Sequence, residues 1–143
     1  MFQVLLLIVV MILAFPLIYV VSLFTERKRI GKAEERFFAD REPLTDAQYT
    51  AAITNPLHND FHFGARRAMA TLCGTTPDMI HPSDSMRTLL DLQFDSGYIQ
   101  DFVFFTEQET STQIDLRRLP DTETTTFGDF VERLAEGNRI PAA

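Results

Sequence analysis

The sequence predicts an all-α protein, an N-terminal transmembrane helix followed by a small helical bundle, and three observations carry that expectation. Val4 to Phe24 is a run without a single formal charge. Beyond it, apolar residues recur at spacings of three and four, and no strand-like alternation of useful length interrupts them. Residues that cap helices, Thr and Asp at starts and Gly at ends, punctuate these segments.

The first element is the apolar run itself. At 1.5 Å per residue it would measure about 31 Å, enough to cross a bilayer core. Only Pro16, Tyr19 and Ser22 depart from plain hydrocarbon, and Pro16 is expected to bend the helix. A secretory signal peptide would carry a basic leader, a shorter apolar core and small residues at a cleavage site, and none of these is present. Arg27, Lys28, Arg29 and Lys32 follow at once. The positive-inside tendency then places the N-terminus outside and the remainder in the cytoplasm, as a single-pass membrane protein.

Next comes a helix over 30–38, where Ile30, Ala33, Phe37 and Phe38 alternate with charges. Pro43 stops it, and Thr45 or Asp46 caps a short helix through Ile53 that Asn55-Pro56 ends. Phe61 to Cys73 forms an amphipathic helix with Phe61, Ala65, Ala68, Met69, Leu72 and Cys73 on one stripe. Arg66 and Arg67 are expected to face away from it, and Gly74 closes it. Asp78 to Asp95 reads as a loop-rich connection whose apolar residues reach into a core. Ile99 to Glu109 is a helix with four adjacent apolar residues, Phe102 to Phe105, which cover most of its circumference. It is therefore either central or partly covered by a partner. Pro120 opens an acidic turn, and Thr124-Thr125-Thr126 caps a last helix with Phe127, Phe130, Val131 and Leu134 inside and Gly137 at its end. The chain divides into an anchor (1–24), a basic juxtamembrane and helical linker (25–58) and a helical domain (59–143).

Charge narrows the partners. The net charge is −7, all of it in Asp84 to Ala143, where twelve acids face five arginines. Such a surface repels nucleic acid and attracts basic protein surfaces. Cys73 is the single cysteine, so no intrachain disulfide forms, and its place on an apolar stripe suits a buried thiol. His58 and His62 stand four apart around Asp60, a spacing suggestive of zinc, but a site needs a third and a fourth ligand, so no metal is assigned. His81 beside Pro82 reads as a loop residue. No nucleophile, base and orienting acid come together in the sequence, and the expectation is a protein that is not an enzyme.

Asp95-Ser96 stands immediately ahead of the aromatic-rich helix. From Ala65 to about residue 136 the order of features resembles an acyl carrier protein. A first helix ends near a glycine (Arg66 to Gly74), and a long connection runs through Leu92. An Asp-Ser pair then opens an acidic helix (Asp101 to Glu109), followed by Ile114 and the closing Thr125-Thr126-Phe127-Gly128-Asp129-Phe130. The resemblance implies an acyl-carrier-like four-helix bundle with Ser96 as the phosphopantetheine attachment point. It also implies a phosphopantetheinyl transferase and acyl-transfer enzymes as partners, with Asp95, Asp101, Glu107 and Glu109 as the docking surface. A hydroxyl at a helix start suits a phosphodiester, because free backbone N–H groups and the positive dipole end face it there. The chain departs from the family at Gly97, where Leu is usual, at Tyr98, where an acid is usual, and at Thr106 and Thr110, where Leu and Phe would pack. These departures raise the alternative of a degenerate carrier fold that acts as a non-catalytic interaction module without a prosthetic group, with Ser96 serving only as a helix cap.

Overall fold

A computed structural model describes residues 18–22, 25, 28–53, 58–93 and 99–140. Its regular elements are helical: α1 (28–38), α2 (Asp46–Ala52), α3 (Asn59–Leu72), α4 (Met86–Asp91), α5 (Ile99–Thr110) and α6 (Phe127–Gly137), with 3-10 turns at Pro77–Met79 and Leu116–Arg118. No strand occurs among the described residues; one isolated antiparallel bridge joins Ser85 to Thr126. The all-α expectation is met.

The expected N-terminal transmembrane helix is not. Among the described residues no helix is long and apolar enough to cross a membrane. Residues 18–22 are helical and exposed, but α1 beyond them carries Lys28, Arg29, Lys32, Glu34, Glu35 and Arg36. The described apolar stretch therefore falls far short of the roughly 20 residues a span requires. Most of Val4 to Phe24 lies outside the described residues, and the membrane orientation expected from the basic cluster rested on that helix.

The helix ends follow local chemistry closely. Thr45 caps α2 in a full capping box with Gln48. Thr126 caps α6 by accepting the Asp129 N–H. At the end of α3, Gly74 takes a left-handed φ of 63°, and Gly74 N–H and Thr75 N–H donate to Thr71 O and Ala70 O. That pairing is a Schellman closure, for which a glycine at the left-handed position costs least. The last helix closes by the same pattern, Arg139 N–H to Glu136 O and Ile140 N–H to Ala135 O. There the left-handed residue is Arg139, with φ 56°, and Gly137 is merely the last helical position.

The expected loop-rich connection after Gly74 contains a helix, α4, started by Ser85, whose side chain accepts the Thr88 N–H. Its apolar residues enter the core as expected: Ile80, Met86, Leu89, Leu90 and Leu92 are buried. Asp84 organises this connection. Its carboxylate accepts from the Arg41 guanidinium and from His81 N–H, while its backbone carbonyl accepts the first N–H of α6, from Phe127.

The core lies between α3, α4, α5 and α6. Phe102 sits with its ring 6.1 Å from those of both Phe127 and Phe130, edge to face. Helix α3 packs chiefly on α5, and Gly64 makes the close approach possible: a Cβ there would lie 2.2 Å from Thr110 Cγ2. The segment ahead of α3 joins the same core. Tyr49 of α2 is fully buried, and Phe37 and Phe38 of α1 pack on the core from its edge.

Arg66 corrects the expectation that it faces away with Arg67. Arg67 is half exposed, whereas Arg66 is 1% exposed. Its guanidinium donates to Ile80 O, Leu44 O and Asp46 Oδ1 and lies 4.3 Å from the Tyr49 ring centre. Helical spacing put Arg66 beside Arg67, but α2 and the Ile80 loop fold over that face and supply carbonyls that only a long, multiply donating side chain reaches. Burial pulls its pKa down, and Tyr49, Asp46 and Asp78 pull it back up.

Candidate functional site

Helix α5 holds most of the residues singled out for docking, and the structure gives them different tasks. Phe102, Val103 and Thr106 point into the core. Thr106 and Thr110, placed where larger apolar groups were anticipated, donate their hydroxyls to Phe102 O and Thr106 O, each at 2.7 Å. Both are satisfied within the helix, and Gly64 accommodates the methyl of Thr110. Glu107 is committed to the fold, since its Oε1 accepts the Ile114 N–H at 2.7 Å. Glu109 pairs with Arg67 across to α3 at 2.7 Å, an exposed pair worth well under ~1 kcal/mol. Asp101 occupies the first turn of α5, where a carboxylate complements the helix dipole. Asp95 and Ser96 lie outside the described residues.

The outward face of α5 shows how the aromatic cluster divides between core and surface. Of the four adjacent apolar residues, Phe102 and Val103 are buried, Phe105 is partly buried and Phe104 is 54% exposed. Phe104 shares its face with Asp101 three residues before and Gln108 four after, so an aromatic ring stands between polar groups on a solvent-facing helix. Phe105 packs edge to face on it, with ring centres 5.6 Å apart. The cluster is thus neither wholly core nor wholly surface.

A second group of polar side chains gathers where α2, α3 and α6 meet. His58 is the N-cap residue of α3 and makes no capping hydrogen bond with its side chain. Its Nδ1 lies 2.8 Å from Glu132 Oε1, and His62 Nε2 lies 2.8 Å from Glu132 Oε2. Tyr49 Oη lies 3.5 Å from His62 Nδ1. His62 is fully buried, and burial lowers its pKa below the ordinary imidazole value, with the Glu132 carboxylate opposing and His58 adding to the fall. Burial likewise raises that of Tyr49. Asp60, which the sequence placed between the two histidines, is exposed and takes no part. The i, i+4 spacing revealed the histidine pair, but nothing local to it pointed to Glu132, seventy residues away.

Among the described residues no group of three or more His, Cys, Asp or Glu side chains is arranged to hold a metal ion. In the His58–Glu132–His62 group each imidazole hydrogen-bonds its own carboxylate oxygen. Cys73 is 2% exposed and directs its thiol toward Leu89 O. Burial, with smaller help from Glu34 and Asp84, pushes that thiol up to about 12, so it is a packed core group and not a poised nucleophile. His81 is a loop residue whose Nε2 meets Glu42 O at 3.0 Å.

A cleft of about 280 Å³ opens beside the start of α6, lined by Leu44, Ile53, Pro82, Ser83 and Asp129 among others. Backbone N–H groups at this helix start are already engaged: Phe127 by Asp84 O, Gly128 by Pro82 O and Asp129 by the Thr126 hydroxyl. Little remains there to bind an anion.

The chain matches no family model, no curated protein and no solved structure.

Proposed function

We propose that this chain is an acyl-carrier-like helical module that bears a phosphopantetheine arm on Ser96 and presents α5 to basic, partly apolar partner surfaces. The observation that carries the reading is the outward face of α5, with Phe104 54% exposed among polar neighbours in a helix whose described part starts at Ile99, three positions after Ser96 in the sequence. The order of elements supports it: a 14-residue helix closed by glycine, a connection, a serine, a 12-residue helix, a 3-10 turn beyond Ile114, and a closing helix capped by Thr126. The threonines that depart from the family are accommodated within this arrangement, as Gly64 and the intrahelical hydroxyl bonds make up for the missing bulk.

When attached, the arm supplies a terminal thiol for thioester chemistry. The chain's own contribution is to hold the attachment serine near a docking helix, and it catalyses no step. The test is intact-mass measurement of full-length protein incubated with coenzyme A and a broad-specificity phosphopantetheinyl transferase, and of protein recovered from its native host. A single phosphopantetheine adduct, absent in Ser96→Ala, is expected. Unmodified protein in both samples would end the carrier reading.

The exposed Phe104 also favours a second reading on its own account, a non-catalytic interaction module without the arm. Phe104→Ala or Gln108→Lys would then weaken partner binding while Ser96→Ala leaves it intact. These two positions are better probes than Glu107 or Glu109, whose carboxylates hold Ile114 and Arg67.

A further inference from the structure

The junction of α2, α3 and α6 links four titratable groups in series: Tyr49, His62, Glu132 and His58. The two imidazoles reach different oxygens of one carboxylate, each at 2.8 Å, and the Tyr49 hydroxyl sits 3.5 Å from the remaining nitrogen of His62. Side-chain exposure is 8% for His58, zero for His62 and 13% for Glu132, and Tyr49 is fully buried. With both rings neutral, Glu132 accepts one N–H from each, and His62 Nδ1 accepts the Tyr49 O–H. The group then carries a single negative charge, and Glu132 and both nitrogens of His62 have partners.

Adding protons changes this balance in unequal steps. The first brings the group to neutrality as an ion pair. The second leaves two imidazolium rings on one carboxylate, a net positive charge in a buried site, and one carboxylate cannot compensate both. The charge would also face Arg66, whose guanidinium already lies against the Tyr49 ring. A proton on His62 further turns Nδ1 from acceptor to donor, so the Tyr49 hydroxyl can no longer donate to it. The groups facing the cluster are Tyr49 from α2, His58 at the cap of α3, His62 and the neighbouring Arg66 from α3, Glu132 from α6, and Asp84 from the connection ahead of α4, whose charge acts on Tyr49.

We propose that His58, Glu132, His62 and Tyr49 form a proton-operated latch that fastens α2 and α3 to α6 and opens when the second imidazole is charged. The direction of the His62 pKa agrees with such a device: burial lowers it most and His58 adds to the fall, against the pull of Glu132. Both histidines are needed: a single imidazole on Glu132 would form an ordinary ion pair that acid leaves closed until the carboxylate itself is protonated.

The test follows the histidine ring resonances of the full-length protein from pH 8 to 4.5, alongside thermal unfolding over the same range. The His62 ring should titrate below the ordinary imidazole range, and its midpoint should move when His58 is substituted. Tm should fall by roughly 5 °C between pH 7.5 and 5. His58→Gln retains an N–H donor for Glu132 but removes one charge, so His62 should titrate at higher pH and the fall in Tm should shrink. Glu132→Gln should shift His62 the opposite way. A His62 midpoint unchanged in His58→Gln, or a His58→Gln variant whose Tm profile parallels that of the parent, would overturn the latch. Should Glu132→Gln fail to fold, His58→Gln still decides, because its side chain sits at the helix boundary and the amide can reach the same carboxylate oxygen.

Discussion

Arg66 makes the greatest demand on its surroundings of any side chain in the bundle, because a cation 1% exposed must have every donor placed. Two carbonyls, a carboxylate and an aromatic face meet that demand. Asp46 is itself largely exposed, so the ion pair contributes less than the carbonyl bonds that tie α3 to the Leu44 and Ile80 segments. Arg66→Ala should therefore cost about 3 kcal/mol or more in urea unfolding, by stranding Leu44 O and Ile80 O and opening a cavity. Arg66→Lys should recover only part of this, since an ammonium cannot serve three divergent acceptors with the same geometry. A loss below ~1 kcal/mol for Arg66→Ala would contradict the arrangement. Cys73 is simpler. With its thiol buried and pushed up to about 12, it should resist alkylation by iodoacetamide at pH 8 in the native protein and react fully once unfolded. The helical spacing of the sequence suggested this for Cys73. It suggested the reverse for Arg66, because helical spacing shows which residues share a face but not what folds over it.

Two helix junctions have consequences at the level of the element. The contact between α3 and α5 depends on an absent side chain, and Gly64→Ala would drive a methyl to within 2.2 Å of Thr110 Cγ2. The expected cost is ~1–3 kcal/mol. Thr110→Ser removes the offending methyl, and the remaining neighbours stand at ordinary contact distance of 3.5 and 3.6 Å. In that background Gly64→Ala should become neutral or stabilising, as helix propensity favours alanine. A double-mutant cycle measuring no coupling between 64 and 110 would refute the close approach. At the other end, Arg139 holds the left-handed position of the α6 closure that glycine holds after α3. Arg139 is exposed, so Arg139→Gly should raise stability by about 0.5–1 kcal/mol. The sequence pointed to Gly137 as the helix end because glycine is the usual signal. The structure ends α6 at Gly137 as expected and places the left-handed closure two residues on, where Ile140 N–H reaches Ala135 O.

For the whole molecule, burial of ionisable groups sets a stability window. The His62 pKa is lower when folded than its ordinary 6.5, so the unfolded chain binds the proton more readily and stability is lost as pH falls through that value. The Cys73 thiol is raised from 9.0 to about 12, so its contribution is full below pH 9 and is lost as pH rises above it, with Tyr49 acting in the same direction at higher pH. A plateau of unfolding free energy between about pH 6.5 and 9 is expected, falling on both sides, and a profile still rising below pH 6 would contradict it. The sequence by itself determined the helical class, most helix positions, the inner stripes of α3 and α6, the closure at Gly74 and the short segments that hold the caps of α2 and α6, because these depend on periodicity and on hydrogen bonds within a few residues. Only the tertiary structure decided that Arg66 is interior, that Glu132 joins two histidines, and that Phe104 faces outward while Phe102 faces in. It also overturned the expected membrane-spanning helix, since no described helix is long and apolar enough. Each of these turns on which segment covers a given face, and that is set by contacts between residues far apart in the chain.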